Sequence, residues 1–493
     1  MILLIFTLIQ LLSFSISQNN RLVFLYTHFR HGARAPMDLD DNYIDLVKEK
    51  WDNPGELTGI GQRMHYLLGL RNRIKYIKNE TFLNEKFDPH EILIYSSNLN
   101  RTIVSVSSQL QGFFPQSSEK GETLTEKQEK VAVPEVDINC DEINSEIEDL
   151  KGSALPYRMT LAPIRMTDDN DKKMNVYDLK ECVEERDQVK KENRETIPYL
   201  IEFTRKYNEE YGETLNKFFG TDNKNFTMID IDHFCDAFLS SYTDQRELTE
   251  FKKTGLDLEK TNDYCYEYFR VNYLYHFHGD KDKILAHVDS SKLMSELIYF
   301  MKRRLDADIT EEDEDANFKD YSRPKMVMIS GHDSTTSADE IFMLNALGYN
   351  ITEKYIFPKY ASQLALEVRT KDDSTKKTSY ADYYVVGYFN DKELFNVTAD
   401  EFISKIEGDI WTQEKIDDFC GFGDSPINPI SNSTESKKKD KAKTAYKVLM
   451  SIFICLSVIL LATTLFLAYK LSQRKAPLDV NYNPNNTNQN INN

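Results

Sequence analysis

Three short runs rich in branched and aromatic side chains, 22–27 (LVFLYT), 91–96 (EILIYS) and 325–330 (KMVMIS), are each bounded by polar residues. Such runs read as buried strands. Helical patterns follow the first two at 61–77 and 102–112, and a third helix is expected over 337–347. Strands alternating with helices predict an α/β domain with a mostly parallel sheet flanked by helices.

Residues 140–310 differ in character, with helical stretches at 188–211, 226–242 and 290–304 and few strand signals. They are expected to form an inserted, mainly helical cap between core segments 18–139 and 311–430, closed by a solvated acidic loop at 306–315. Beyond the third strand, 363–370 and 380–389 alternate around a polar 371–379, the pattern of a hairpin that extends the sheet antiparallel at an edge. No internal repeat is apparent.

The ends place the chain. Residues 1–17 (MILLIFTLIQLLSFSIS) form an apolar run ending in small residues, as a secretory signal peptide does, although without a basic start. Residues 448–469 are twenty-two in number and uncharged, long enough to cross a hydrocarbon core of about 30 Å. A type I membrane protein is expected: exported domain, stalk over 431–447, one C-terminal span, and a disordered Asn-rich cytosolic tail over 470–493. The stalk lysines, Lys437 to Lys447, oppose the positive-inside bias, but a long translocated domain is little governed by loop charge.

Six sequons, at Asn79, Asn100, Asn225, Asn350, Asn396 and Asn432, precede the span. Cys455 lies inside it, leaving Cys140, Cys182, Cys235, Cys265 and Cys420 outside. In an oxidising compartment these make at most two bridges, and their spacing matches no zinc pattern. Cys235 with Cys265 is the favoured local pair; the partners among Cys140, Cys182 and Cys420 stay open. With 61 Lys and Arg against 80 Asp and Glu, the net charge is −19, which argues against nucleic acid as a partner.

Directly after the first strand comes Arg30-His31-Gly32-Ala33-Arg34-Ala35-Pro36. Two guanidiniums flanking an imidazole crowd like charges unless an anion is to be bound, and they depress the basicity of the histidine between them. Such an imidazole keeps its lone pair at lower pH, while the guanidiniums offer forked donors to phosphate oxygens. The second strand ends in Ser96-Ser97-Asn98-Leu99-Asn100-Arg101-Thr102 and the third in Ser330-Gly331-His332-Asp333. Ligands of open α/β sheets bind beyond the carboxyl ends of the strands, so Arg30, His31, Arg34, Arg101, His332 and Asp333 are expected to converge in one crevice.

These residues resemble the histidine acid phosphatase family, in its membrane-anchored lysosomal type and secreted relatives. Arg30 to Pro36 match the RHGxRxP signature, His332-Asp333 the later HD signature, and Arg101 the intermediate arginine, in a resemblance covering roughly 21–420. It implies that His31 attacks phosphorus to give a phosphohistidine, that Arg30, Arg34, Arg101 and His332 hold the phosphoryl oxygens, and that Asp333 protonates the leaving alcohol. The chemistry is coherent without a metal or other cofactor, because guanidiniums supply the charge neutralisation. A protonated Asp333 favours turnover in an acidic, lysosome-like lumen.

Departures from the family pattern are Asn98 and Asn100 where an acidic residue usually precedes the middle arginine, and Gln363 where some relatives carry a bridged cysteine. The latter is a further reason to pair Cys235 with Cys265. His28 and His65 read as packing or polar contacts, Thr58 and Gln62 as structure beneath the site, and His278-Gly279 as no second site. The alternatives are a phytase or inositol polyphosphate phosphatase, for which Glu184-Glu185 and Asp168-Asp169 in the cap offer little support, and a receptor that binds phosphorylated ligands without turnover. The expected partners are a phosphate monoester and the membrane, with a homodimer left open.

Overall fold

The computed structural model describes residues 20–37, 51, 53–115, 123–132, 134, 141–150, 152–167, 182–279, 283–310, 322–373 and 375–421. All of these lie in one unit ending at Gly423; a second unit is Asp424–Asn493. The leader expected over 1–17, the stalk, the span expected over 448–469, the tail, Cys140 and Asn432 lie outside the described residues. Among the described residues no helix is long and apolar enough to cross a membrane.

Strand β1 (Leu22–Arg30) is buried along its whole length, because it occupies the middle of a seven-stranded sheet. The other strands are β2 (Ile92–Ser97), β3 (Arg165–Thr167), β4 (Met326–Gly331), β5 (Gln363–Thr370), β6 (Tyr383–Phe389) and β7 (Lys392–Thr398), in the order β3-β2-β4-β1-β5-β6-β7. β4 runs parallel to both β1 and β2, and β2 parallel to β3. β5 is antiparallel to β1, and β6 and β7 continue antiparallel.

The expectation of a mostly parallel sheet is thereby corrected: the sheet is mixed, half parallel and half antiparallel. One of the three antiparallel pairings, β6 with β7, comes from local chemistry at the edge. Asn390 and Asp391 both take positive φ, 45° and 68°, and join Phe389 directly to its partner Lys392. Two such residues make the mirror-image turn whose twist suits a tight hairpin. That Asn-Asp pair is the sequence signal for β7, which the pattern reading passed over.

Alternate residues of the central strands face two cores, as a period of two demands. Ile92, Ile94, Met326 and Met328 pack with Val106, Leu110 and Phe113 of α2 (Asn100–Phe113). Leu93, Val327 and Ile329 share the other core with residues of the long helices from the middle of the chain. Those helices are α3 (Val183–Thr196), α4 (Pro198–Tyr207), α5 (Met228–Thr243), α6 (Leu258–His278) and α7 (Ile284–Thr310), followed after β4 by α8 (Asp333–Ala346).

The helix expected over 188–211 is broken in two. Ile197 is extended (φ −78°, ψ 113°) because Pro198 follows it, and Pro198 then opens α4. Helix α6, which the sequence reading did not single out, is 21 residues long. Its aromatic residues are spread around the helix instead of along one stripe, since it is covered on several sides. Two disulfides are present: Cys235 of α5 bonds Cys265 of α6, and Cys182 at the start of α3 bonds Cys420 after the helix Gln413–Phe419.

Candidate active site

The register of the sheet brings the three motifs level. Arg30 pairs with Gly331 across β1 and β4, and Ser96 with Ser330 across β2 and β4. His31, Arg101 and His332 therefore leave neighbouring parallel strands at the same end of the sheet. The His31 amide donates to the Gly331 carbonyl at 3.0 Å, and the His31 carbonyl accepts from Ala361 at 3.1 Å.

The turn after His31 is gripped by α1 (Gly59–Asn72). Thr58 caps that helix, accepting from Gly61 N, while its own amide donates to the Ala33 carbonyl at 2.9 Å. A Cβ on Gly32 would lie 2.5 Å from the Gly61 carbonyl oxygen, a separation real side chains do not tolerate. Both glycines are required by this close approach of two backbones. The Gly32 amide is satisfied by Ser105 Oγ at 3.1 Å.

The His31 ring is buried, and its Nδ1 lies 2.9 Å from the Gly32 carbonyl oxygen. A carbonyl only accepts, so Nδ1 carries the proton and Nε2 carries the lone pair. Burial first, then Arg30, Arg34, His332 and Arg101, hold the imidazole well below the usual 6.5. The ring stays neutral and nucleophilic in acid.

Around it, Arg30 ion-pairs with Asp333 at 2.7 Å, donates to the Pro358 carbonyl at 2.9 Å and lies 4.3 Å from the centroid of Tyr360. Arg34 makes a forked pair with Asp236 of α5 at 2.8 and 3.3 Å, and Asp236 also accepts from Met37 N at 2.7 Å. Arg101 is buried in the first turn of α2. His332 Nε2 lies 2.9 Å from Ser97 Oγ, and its ring centroid is 5.6 Å from that of His31.

Asp333 opens α8, where the amide dipoles of a 14-residue helix point at the cleft and favour an anion. Its Oδ1 accepts from Ser334 N at 2.9 Å and from the Tyr273 hydroxyl at 3.2 Å. Burial pushes the carboxyl up, but Arg30, Arg34 and His332 outweigh it and hold it below the usual range. Beneath the site, His28 Nδ1 meets Asp339 at 2.7 Å and Nε2 meets Thr335 Oγ1 at 3.3 Å, and that hydroxyl accepts from His332 N at 3.0 Å. His28 thus ties β1 to the start of α8 as a polar contact.

His31, Arg34, Arg101, His332 and Asp333 all line one cleft of about 600 Å³, which residues of α3, α5 and α6 also line. That volume takes more than a phosphate group. Among the described residues no cluster of three or more His, Cys, Asp or Glu is arranged to hold a metal ion.

The family model of the histidine phosphatase superfamily, branch 2, matches residues 21–390. The chain belongs to that superfamily. Over 103 residues it is 35% identical to lysosomal acid phosphatase of Xenopus laevis, covering 20% of this chain and 22% of that protein. Over 96 residues it is 38% identical to human prostatic acid phosphatase, covering 19% of this chain and 24% of that protein. The match to these curated relatives thus spans about a quarter of their length or less. In fold, the phytase from Citrobacter braakii superposes with a TM-score of 0.50 at 13% identity, covering 81% of this chain and 99% of that one.

For this member of the superfamily the sequence motifs led to the strand ends but not to the side chains that come down on them. Asp236, Tyr273 and Tyr360 carry no local signal, since each acts through a partner 60 or more residues away. Gln363, where some relatives place a bridged cysteine, instead accepts from Asn72 Nδ2 at 2.8 Å. The acidic character expected of the cap also needs correcting at α3. Glu184 and Glu185 open that helix, yet Arg186, Lys190 and Arg194, spaced by four, are among its residues that line the cleft.

Proposed function

We propose that this chain hydrolyses phosphate monoesters through a phosphohistidine on His31, with Asp333 as the proton donor and without a metal. The observation that carries this reading is the hydrogen bond from His31 Nδ1 to the Gly32 carbonyl at 2.9 Å, because it commits Nε2 to the lone pair in a ring surrounded by guanidiniums. Nε2 attacks phosphorus as the P–O bond to the alcohol breaks, and Asp333 gives its proton to the departing oxygen. Arg30, Arg34, Arg101 and His332 neutralise charge on the remaining oxygens. Water then attacks phosphorus, carboxylate 333 takes its proton, the P–N bond breaks, and phosphate leaves.

The proton on Asp333 arrives with the substrate. In the empty cleft the cations favour the carboxylate, and a bound phosphate monoanion both supplies a proton and neutralises those cations. This ordering favours turnover in acid.

The same reading extends to location and organisation. We place the catalytic domain on the lumenal or outer side of a single C-terminal span, in a lysosomal or secretory setting, with the helices of 140–310 as an insertion into the core. Two disulfides support an oxidising compartment. The sequon asparagines Asn79, Asn225, Asn350 and Asn396 are exposed, as glycan acceptors must be, whereas Asn100 adjoins Arg101 of the cleft and is a poor acceptor.

The test is rapid-quench labelling with a phosphorus-labelled aryl phosphate, in chelator, followed by alkaline peptide mapping. Label on the His31 peptide, lost in His31→Ala together with turnover, is the expected result. Turnover without label on that ring, or activity abolished by chelator, would overturn the reading.

A further inference from the structure

The part of the cleft wall lined by α3, α5 and α6 has polar groups that the proposed reaction leaves unused. His276 and Asn272 sit one turn apart on α6, are 4% and 5% exposed, and both line the cleft. His276 Nε2 and Asn272 Oδ1 are buried with no hydrogen-bond partner among the described residues. Leaving such atoms unmatched is unfavourable, and a ligand bound here would satisfy them. Helix α3 packs against α6 and brings Lys190 and Arg194 to the same wall. Arg194 Nε is likewise buried without a hydrogen-bond partner among the described residues.

Three carboxylates on this wall limit how much positive charge is free, and each is accounted for. Asp236 is engaged by Arg34. Asp187 stands 3.7 Å from Lys190 but is 64% exposed, so it attenuates that cation only weakly. Asp232 faces Arg194, yet burial and then Asp236 push its carboxyl up to about 6, leaving it largely neutral in acid. Burial, then Arg194 and Lys190, keep the His276 imidazole neutral in the empty cleft, so one of its nitrogens is an N–H donor.

We propose that Lys190, Arg194 and His276 form a second anion subsite, and that the preferred substrates are phosphate monoesters whose leaving group carries an anionic group of its own, carboxylate or phosphate. Asn272 Oδ1 accepts from a hydroxyl of the same leaving group. This deepens the phosphatase reading and rests on it for the position of the transferred phosphate.

Phosphonates bind without being turned over, so their affinities report the subsite independently of catalysis. Calorimetry on the full-length chain at pH 5 compares alkylphosphonates with ω-carboxyalkylphosphonates and α,ω-alkanediphosphonates of increasing length. The expected result is that one diacid series, at a matching length, binds roughly tenfold tighter or more than its monoacid. The series that gains identifies the second anion. In Lys190→Gln/Arg194→Gln, whose side chains are only partly buried, that ratio falls toward one. Equal affinities for monoacids and diacids, no binding of any diacid, or a ratio unchanged in the double variant would overturn the subsite. Failure of His31 labelling alongside an intact ratio would overturn the mechanism and leave the subsite standing.

Discussion

Arg30 and Asp333, the last residue of β1 and the first of α8, form an ion pair at 2.7 Å, so the guanidinium preceding His31 in the chain also holds the carboxylate proposed as the proton donor. Asp333→Asn keeps a carbonyl oxygen for Ser334 N and Tyr273 but has no proton to give. Its kcat should fall roughly 10²–10⁴-fold on alkyl phosphates. With 4-nitrophenyl phosphate, whose leaving group departs as a stable anion, the loss should be much smaller. Steady-state kinetics on the two ester classes checks this; equal losses would remove Asp333 from the donor role.

The pH profile follows from the environments of His31 and Asp333. His31 is held well below 6.5, so kcat/KM should show no acid limb near pH 6.5. Asp333 is held below the ordinary carboxylate range in the empty site, so the required proton enters with the substrate monoanion, which ionises near pH 6. We expect kcat/KM to be flat through pH 5 and to decline above about pH 6. A rise between pH 6 and 8 contradicts this account.

Acid should also cost stability, and His65 is one source. Its Nδ1 lies 3.1 Å from Gln109 Oε1, and burial pushes its pKa down to about 4. The unfolded chain, with an ordinary value near 6.5, binds the proton more readily. The neutral ring's contribution is therefore complete above pH 6.5 and is lost as pH falls through 4, by about 3 kcal/mol. Denaturant melts at pH 7 and pH 4 should show a smaller difference for His65→Asn than for the unmodified chain.

The Cys182–Cys420 bridge spans 238 residues of sequence and anchors the start of α3, the helix that carries Lys190 and Arg194. Replacing both cysteines by serine should lower stability by about 2–5 kcal/mol. Thermal melting under non-reducing conditions measures it, and a midpoint equal to that of the unmodified chain would show that the bridge contributes nothing.

Much of the site was legible in the chain itself. Arg30, His31, Arg34, Arg101, His332 and Asp333 each sit just past an apolar run, and a strand's exit in an α/β sheet is where ligands bind. The runs at 22–27, 91–96 and 325–330 differ from the observed strands only at their ends, because burial on both faces writes itself into consecutive residues. Those properties are local, and a local pattern is all a single sequence displays.

What folding alone decided is which side chains descend on those loops. The Arg34–Asp236 pair joins residues 202 apart and Asp333–Tyr273 residues 60 apart. Whether α3 meets the cleft with its glutamates or with Lys190 and Arg194 depends on its rotation about its own axis. That rotation is set by packing against α6 and by the bridge at Cys182, contacts between distant segments whose energies exist only once the segments have met.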